Sequence, residues 1–149
     1  MQTSTFPQTK TFLAALGHYR TTYATATLRT LEGESDVRAA VRALLTERVR
    51  VAVEGGGRGC LLINAATERL PQDQPTGRIV RDVLTANQEA PATLLRAAAE
   101  RGELSSRHGP ETLAAFLVTF LNGLLVASKV TPDARALESL VEVALGTLE

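Results

Sequence analysis

The sequence predicts an all-α fold, and three observations lead to that class. Ala and Leu dominate the composition, apolar residues recur at three- and four-residue spacing along most of the chain, and no segment keeps a convincing strand pattern. The chain has 149 residues, of which 44% are hydrophobic and 21% are charged, so one domain with a single core is expected. The spacing predicts six helical segments.

The last third of the chain, residues 110–148, organises the rest as two apolar helices that meet at residues 128–132. On the first helix, large apolar residues at helical spacing form a wide stripe that is expected to be buried: Leu113, Phe116, Leu117, Phe120, Leu124 and Leu125. A second stripe consists of small residues, Ala115, Thr119, Gly123 and Ala127. Because small side chains let another helix approach closely, this helix is expected to have partners on two sides.

The final helix is expected to start with Thr131 as N-cap, Pro132 at its first position and Asp133 near the positive end of its dipole. It has two apolar faces, Leu137/Val141/Leu145/Leu148 and Ala136/Leu140/Val143/Thr147. One face can cover the core, and the other is too apolar to leave in water. The expected solution is a four-helix dimer bundle around a two-fold axis. Its predicted interface is Ala115, Thr119, Asn122, Gly123, Ala127, Leu137, Leu140, Val141, Ala144 and Leu148.

Four further helical segments precede this pair. The first covers residues 9–31 and stops at Gly33. The second is capped by Ser35 and carries the stripe Val37, Val41, Leu44, Leu45, Arg48, Val49 and Ala52 to Glu54. A short apolar helix over residues 60–70 ends at Pro71, and a longer one starts near Asp73 and ends near Gly102. Pro91 is expected to kink that longer helix or split it in two.

One stretch imitates a phosphate-binding turn. Residues 49–53 alternate like a strand, residues 55–59 are glycine-rich, and a helical segment follows. However, Gly-Lys-Ser/Thr is absent, and the third glycine of a dinucleotide fingerprint would fall on Cys60. The helical period also starts well upstream, so helix, loop, helix is the interpretation we favour.

Composition restricts the function classes. Lys plus Arg and Asp plus Glu number 16 each, so no basic surface indicates a nucleic-acid reader. The single Cys60 excludes an internal disulfide and suits a reducing compartment; it is expected to be a small buried residue, with a redox sensor as the alternative. Residues 1–11 are polar, and the apolar run 113–127 is shorter than the ~20 residues of a membrane span. We therefore expect a cytoplasmic protein with no membrane partner.

The sequence predicts no enzyme, cofactor or metal site. His18 and His108 lie far apart and belong to no cluster with metal-ligand spacing. Glu138 and Glu142 stand one turn apart on the last helix, where paired carboxylates can do acid–base work. A solvated outer face explains that pair with fewer assumptions. Neither a Gly-x-Ser-x-Gly elbow nor a Cys–His pairing is present.

Three short segments, in their order along the chain, resemble parts of the ligand-binding and dimerisation domain of TetR/AcrR-type transcriptional regulators. Residues 6–16 resemble the junction into the linker helix, Gly59-Cys-Leu resembles the opening of the sixth helix of that family, and Gly102-Glu-Leu resembles the close of its seventh. The resemblance covers the chain from about residue 6. It implies an N-terminal stub (residues 1–8), a linker helix (9–31), a core (35–104) and dimer helices (110–148).

The resemblance implies a small apolar or amphipathic effector in an internal pocket, and movement of the linker helix when it binds. Chemistry suggests seven pocket residues: Tyr19, Tyr23, Asn64, Asn87, Gln88, Phe116 and Phe120. Each has a plainer interpretation, because the aromatic residues can be core and Asn87 and Gln88 can face water. Asn64 and Asn122 can each satisfy a backbone carbonyl, and Asn122 can also pair across a dimer.

No basic three-helix unit precedes Phe6, so the helix-turn-helix module of the family is not expected within this sequence. DNA binding is expected only where such a module is present upstream. Two function classes stay open. One is a ligand-sensing homodimerisation domain of a TetR-family repressor. The alternative is a helical dimerisation or adaptor protein that pairs with a full-length regulator.

Overall fold

A computed structural model describes residues 6–32 and 36–149, with the side chains of residues 10–22, 29 and 36–149. Over these ranges the chain forms six α-helices and a short 3-10 helix, with no strand. The helices are α1 (Phe6–Glu32), α2 (Val37–Glu54), α3 (Leu61–Arg69), α4 (Gln74–Glu100), α5 (Pro110–Val130) and α6 (Ala134–Leu145), followed by the 3-10 turn Gly146–Leu148. The predicted all-α class and number of helices are confirmed.

Aspartates cap three of the helices. Asp36 begins α2, Asp73 begins α4 and Asp133 begins α6, each accepting a hydrogen bond from a backbone N–H three residues on. Two predicted caps are therefore wrong. Asp36, and not Ser35, caps α2, while Thr131 ends α5 instead of starting α6. A carboxylate accepts N–H bonds and also complements the positive end of the helix dipole, so it is the stronger cap.

Helix α4 continues through Pro91, so the predicted split does not occur. Pro91 lacks an N–H and disfavours a helical residue before it, at a cost of about 3 kcal/mol. Its ring is fully buried and lies close to Leu44 of α2 and Leu117 of α5. Packing of α4 between these two helices outweighs the local cost.

The glycine-rich stretch is a tight turn after α2. Residues 49–53 belong to α2, which ends at Glu54 with Gly55 as its C-cap, so the helix, loop, helix prediction is confirmed. Gly57 has a φ of +69°, and a Cβ built on it would lie 3.1 Å from the Ser128 carbonyl oxygen. The segment Gly55–Cys60, called here the glycine turn, therefore packs tightly on the end of α5.

Helices α5 and α6 each bury one face in the core of the chain. Packing of α5 is against α4 and α2, and α6 lies mainly on α2. Arg38 of α2 helps to hold α6 by donating to the Leu145 carbonyl oxygen at 3.2 Å, and Arg42 pairs with Glu142. The described chain buries the first apolar face predicted for α6, Leu137, Val141, Leu145 and Leu148, and leaves Leu140 and Val143 of the second face exposed.

The predicted stripe of α5 needs one clear correction. Phe116 is 39% exposed instead of buried, whereas Leu113, Leu117, Leu124 and Leu125 are in the core as expected. The buried set on α5 is completed by Ala114, Val118, Leu121 and Ser128. Burial is therefore rotated from the large residues at positions 116 and 120 toward positions 114, 118 and 121, because α4 and α2 pack on that side.

Candidate ligand-binding site

A cleft of about 380 Å³ opens between α1, α2 and the glycine turn. Its volume lies within the roughly 300–1,000 Å³ typical of small-molecule pockets. The side of α1 contributes Tyr19 and Thr22, and Leu125 of α5 closes one end. The remaining lining residues come from α2 and the glycine turn: Arg48, Val51, Ala52, Gly55, Arg58, Gly59 and Cys60.

A hydrogen bond joins α1 to the glycine turn inside this cleft. The Tyr19 hydroxyl donates to Sγ of Cys60 at 3.2 Å. Cys60 is a free thiol with only 5% of its surface exposed, which confirms the expectation of a small buried residue at this position. Tyr19 is itself half-buried, with its ring packed against the core. The bond places a polar pair at the point where α1 meets the turn.

Arg48 is the residue of this cleft that sequence reasoning missed. It is only 9% exposed and stands among apolar residues on the buried face of α2. Arg58, which is exposed, brings a second positive charge to the cleft. The signal was present in the sequence, because Arg48 occupies a position in the apolar stripe of α2 where Leu or Val would be ordinary. A buried Arg at such a position is a stronger indication of a site than an aromatic residue.

Two carboxylates of α2 lie close in sequence to Arg48, and both are bonded to Arg50. Glu47 accepts from Arg50 Nε and Nη2, each at 2.8 Å, and Glu54 also pairs with Arg50. The hydrogen bonds from Arg50 lower the pKa of Glu47, and the positive charges of Arg50 and Arg48 lower it further. None of the described residues that line the cleft is Asp or Glu.

Among the seven predicted pocket residues, Tyr19 is the one that the structure places in this cleft. Asn64 donates to the Arg58 carbonyl oxygen at 3.1 Å and accepts from Lys129 Nζ at 2.9 Å, so its amide supports the glycine turn from α3. This is the alternative role anticipated for it, satisfaction of a backbone carbonyl. The side chain of Tyr23 lies outside the described residues.

Four other predicted pocket residues lie elsewhere. Asn87 lines a void of about 20 Å³ between α2, α4 and α5, which is room for about one water molecule. Gln88 lines a separate hollow of about 400 Å³ at the junction of α3 and α4. Phe116 and Phe120 stack with their ring centroids 6.0 Å apart and line none of these three cavities. The structure therefore does not gather the predicted set into one pocket.

The predicted dimer residues divide into three groups. Thr119, Gly123 and Leu140 are exposed, and Ala115, Asn122 and Ala127 are half-buried. Four others are buried in the core of their own chain and offer almost no surface to a second one: Leu137, Val141, Ala144 and Leu148. The sequence did not single out two strongly exposed apolar residues of α5, Val126 and Val130, which continue the spacing of Phe116, Thr119 and Gly123.

The residues weighed for enzyme chemistry are dispersed. His18, His108 and Glu138 are exposed, and Glu142 is paired with Arg42 across α2 and α6. Among the described side chains, those of residues 10–22, 29 and 36–149, no three His, Cys, Asp or Glu are grouped in a way that could hold a metal ion. Helix α5 is long and apolar enough to span a membrane by length and composition, a test that core helices of soluble proteins also pass.

Solved structures define the class to which this fold belongs. A regulatory protein TetR from Rhodobacter sphaeroides matches with a TM-score of 0.83 and 25% identity, over 93% of this chain and 74% of that one. A cysteine mutant of the TetR family regulator CifR, complexed with operator DNA, matches with a TM-score of 0.80 and 26% identity, over 91% and 71% of the two chains. A TetR regulator from Chloroflexus aurantiacus shares the fold, with a TM-score of 0.76 and 21% identity over 90% and 68%.

The sequence agrees with this class. A family model described as "Tetracyclin repressor-like, C-terminal domain" matches residues 33–144, and the chain therefore belongs to that family. It is also 29% identical over 143 residues to YezE, an uncharacterized HTH-type transcriptional regulator of Bacillus subtilis (strain 168), covering 93% of this chain and 72% of that protein. The chain is thus the C-terminal domain of a TetR-family transcriptional regulator, the domain in which ligand sensing and dimerisation are typical.

Proposed function

We propose that this domain binds a small amphipathic effector in the cleft between α1 and α2 and homodimerises through the exposed faces of α5 and α6, in a regulator that acts as a repressor. One observation carries the sensing role. Tyr19 and Thr22 of α1 form one wall of a cleft of about 380 Å³ whose other walls are α2 and the glycine turn. A ligand there contacts α1 directly.

Helix α1 is the element that would transmit binding. It has 27 residues, which corresponds to about 40 Å at 1.5 Å per residue. In the proposed mechanism, an effector in the cleft displaces α1 and changes the separation of two DNA-reading heads in the dimer. Such heads match half-sites about 34 Å apart, so a small displacement weakens operator binding. The coupling free energy required is typically about 1–3 kcal/mol.

The dimer proposal rests on apolar surface that the chain does not cover. Val126, Val130, Leu140 and Val143 are between 46% and 82% exposed, and Phe116 is 39% exposed. Exposed apolar side chains that form one patch normally mark an interface, and these residues are proposed to form such a patch. The proposed interface therefore keeps Thr119, Gly123 and Leu140 from the sequence prediction and adds Phe116, Val126, Val130 and Val143.

We assign DNA recognition to a helix-turn-helix module joined to α1, and not to residues 6–149. These residues alone are expected to bind no specific duplex, which a gel shift with operator DNA tests. The domain is proposed to be non-enzymatic and cytoplasmic, with α5 as a core helix and not a membrane span. This agrees with the burial of Leu113, Leu117, Leu121, Leu124 and Leu125 within the chain.

A thermal-shift screen with two variants tests the sensing role. Val51 is 47% exposed and lines the cleft, so Val51→Trp should fill it without disturbing the core. Ala86→Trp is the matched control, because Ala86 is exposed on α4 and lines none of the three cavities. A ligand at 100 times its dissociation constant should stabilise the wild type and Ala86→Trp by about 2.7 kcal/mol and leave Val51→Trp unshifted.

The same screen separates the sensor from the adaptor alternative. An adaptor protein would respond to no small molecule, because it needs no pocket. The sensing role would be overturned if a diverse library produced no shift, or if the shifts persisted in full in Val51→Trp.

A further inference from the structure

We propose that the effector is an anionic amphiphile, a small molecule with an apolar body and one acidic group, and that Arg48 binds the acidic group. The inference rests on the proposed sensing function and specifies its ligand class. It is drawn from the charges and apolar surfaces that line the cleft between α1, α2 and the glycine turn.

The position of Arg48 carries the first step. Its neighbours on the buried face of α2 are Leu44, Leu45, Val49 and Ala52, and only 9% of its own surface is exposed. Burying a guanidinium is costly, and an apolar side chain of similar size is often neutral or better for stability. Because Arg48 lines the cleft, its positive charge acts on any ligand that binds there. Among cationic side chains, Arg presents the planar fork that fits carboxylate and phosphate oxygens.

The charge balance around the cleft carries the second step. Arg48 and Arg58 are both cationic, and the described lining contains no acidic residue. Glu47 and Glu54, the two acids of α2, both bond to the single cation Arg50, and neither lines the cleft. Lys129 adds a further positive charge beside the turn, where its side chain lies close to Gly59. A cationic ligand would meet net repulsion in this cleft, and an anionic one would meet attraction.

The remaining surface defines the rest of the ligand. Val51, Ala52 and Leu125 are apolar, and the ring of Tyr19 extends that surface along α1. A free inorganic anion would leave these apolar groups uncovered, and a purely apolar molecule would gain nothing from the positive charge of the two arginines. An alkyl or aryl chain that ends in a carboxylate, sulfate or phosphate monoester uses both parts of the lining.

Isothermal titration of the full chain with matched probes tests the charge preference. The anionic probes are octanoate, 4-phenylbutyrate and octyl sulfate. 1-Octanol and 4-phenylbutanol are the neutral counterparts, and octylamine is the cationic one. At least one anion is expected to bind about 10- to 100-fold more tightly than its neutral counterpart, which is the worth of one hydrogen bond to a charged group. Octylamine should bind more weakly than 1-octanol.

Three substitutions locate the charge that is responsible. Arg48→Met removes the charge and keeps the length, and it should abolish the preference for the anion, so that octanoate and 1-octanol bind this variant with similar affinity. Arg48→Lys should restore part of the preference, because it keeps the charge but loses the planar fork. Arg78→Met is the matched control on an exposed face of α4, outside the cleft. Melting curves confirm that each variant is folded.

The outcomes distinguish failure of the ligand class from failure of the function. If neutral or cationic probes bind, are blocked by Val51→Trp and outcompete the anions, the sensing function stands and the anionic class is wrong. If the anions bind equally well to Arg48→Met, Arg48 is not the recognition residue and the proposal is overturned. If no anionic probe binds the wild type, the proposal is overturned as well, and the wider library screen then decides the sensing function.

Discussion

Lys129 donates a hydrogen bond of 2.9 Å to Oδ1 of Asn64, which joins the last turn of α5 to α3. The same Asn64 donates through Nδ2 to the Arg58 carbonyl oxygen at 3.1 Å. One amide therefore connects the end of α5, the start of α3 and the glycine turn that walls the cleft. The end of α5 also carries Val126 and Val130 of the proposed dimer face, so the two proposed sites share this junction.

Removal of the Asn64 amide should loosen that junction. Asn64→Ala loses both hydrogen bonds and is expected to lower the free energy of unfolding by about 1–2 kcal/mol. Lys129→Met removes one of the two and should cost less. Urea denaturation followed by circular dichroism measures both. The double mutant Asn64→Ala/Lys129→Met should be as stable as Asn64→Ala alone, because both changes remove the same hydrogen bond. If the two losses of stability add, the residues act separately.

Replacement of Gly57 is expected to destabilise the turn by more than its left-handed backbone alone would. Gly57→Ala combines a left-handed φ of +69° with a Cβ 3.1 Å from the Ser128 carbonyl oxygen. Gly102→Ala is the matched control, because its φ is +73° and nothing lies within 4 Å of its Cβ. Left-handed backbone alone costs about 1–2 kcal/mol for a residue with a Cβ. Chemical denaturation should therefore show a loss of that size in Gly102→Ala and a larger one in Gly57→Ala; equal losses would show that the contact with Ser128 relaxes freely.

The capping carboxylate of Asp73 should make stability depend on acid pH. Its bonds from the Thr76 side chain and backbone, followed by that from Arg69, lower the pKa of Asp73 in the folded chain. Because the pKa of Asp73 is lower in the folded chain than its ordinary value of 3.8, the ionised carboxylate stabilises the fold. This stabilisation is complete above pH 3.8 and is lost as the pH falls through the pKa of the folded chain. Asp73→Asn should therefore lower the melting temperature at pH 7 and approach the wild type at strongly acidic pH.

Asp82→Asn is the control for this measurement, because Asp82 is exposed on the same helix and is not its cap. Melting temperatures recorded from pH 7 down to acid give the two profiles. A gap between wild type and Asp73→Asn that stays constant with pH would contradict the assignment, since it would show that the charge of Asp73 contributes nothing.

The exposed apolar residues of α5 and α6 predict the effect of added charge on association. Val143 is 74% exposed, so Val143→Glu should leave the fold intact and raise the dimer dissociation constant by about tenfold or more, as expected for a central interface position. Sedimentation equilibrium measures this. Ala99→Glu places the same charge on an exposed position of α4 and should change nothing. If Val143→Glu and Ala99→Glu have the same dimer dissociation constant, the exposed face of α6 is not the interface.

Much of the fold could be predicted because helical periodicity is a local property. The spacing of Leu113, Leu117 and Leu124 predicts α5, and the sequence also shows that α6 has two apolar faces. It does not show which face the core buries, because that depends on where α2 packs. It is harder to predict from the sequence which of several neighbouring residues caps a helix. Asp36 and Asp133 outcompete their neighbours through the stronger bonds of a carboxylate, a difference that local pattern alone does not rank.

The site was predicted less well, for reasons that are also physical. Consecutive helical residues point about 100° apart, and Asn87 and Gln88 face two different cavities. Phe116 was expected to be buried because it is large and apolar, but the direction of burial on α5 depends on where α4 and α2 pack. The helical spacing places Arg48 in the apolar stripe of α2, although the charge of Arg48 is the informative feature.

The contact of Gly57 with Ser128 also determines where this domain can acquire new ligand preferences. Only a hydrogen atom fits without adjustment at position 57, so the glycine turn, which forms one wall of the cleft, is held in place against the end of α5. Variants that bind different ligands should therefore differ at other lining positions, such as Thr22, Arg48 and Val51. Redesign of the domain as a biosensor should accordingly randomise those three positions and leave the glycines untouched.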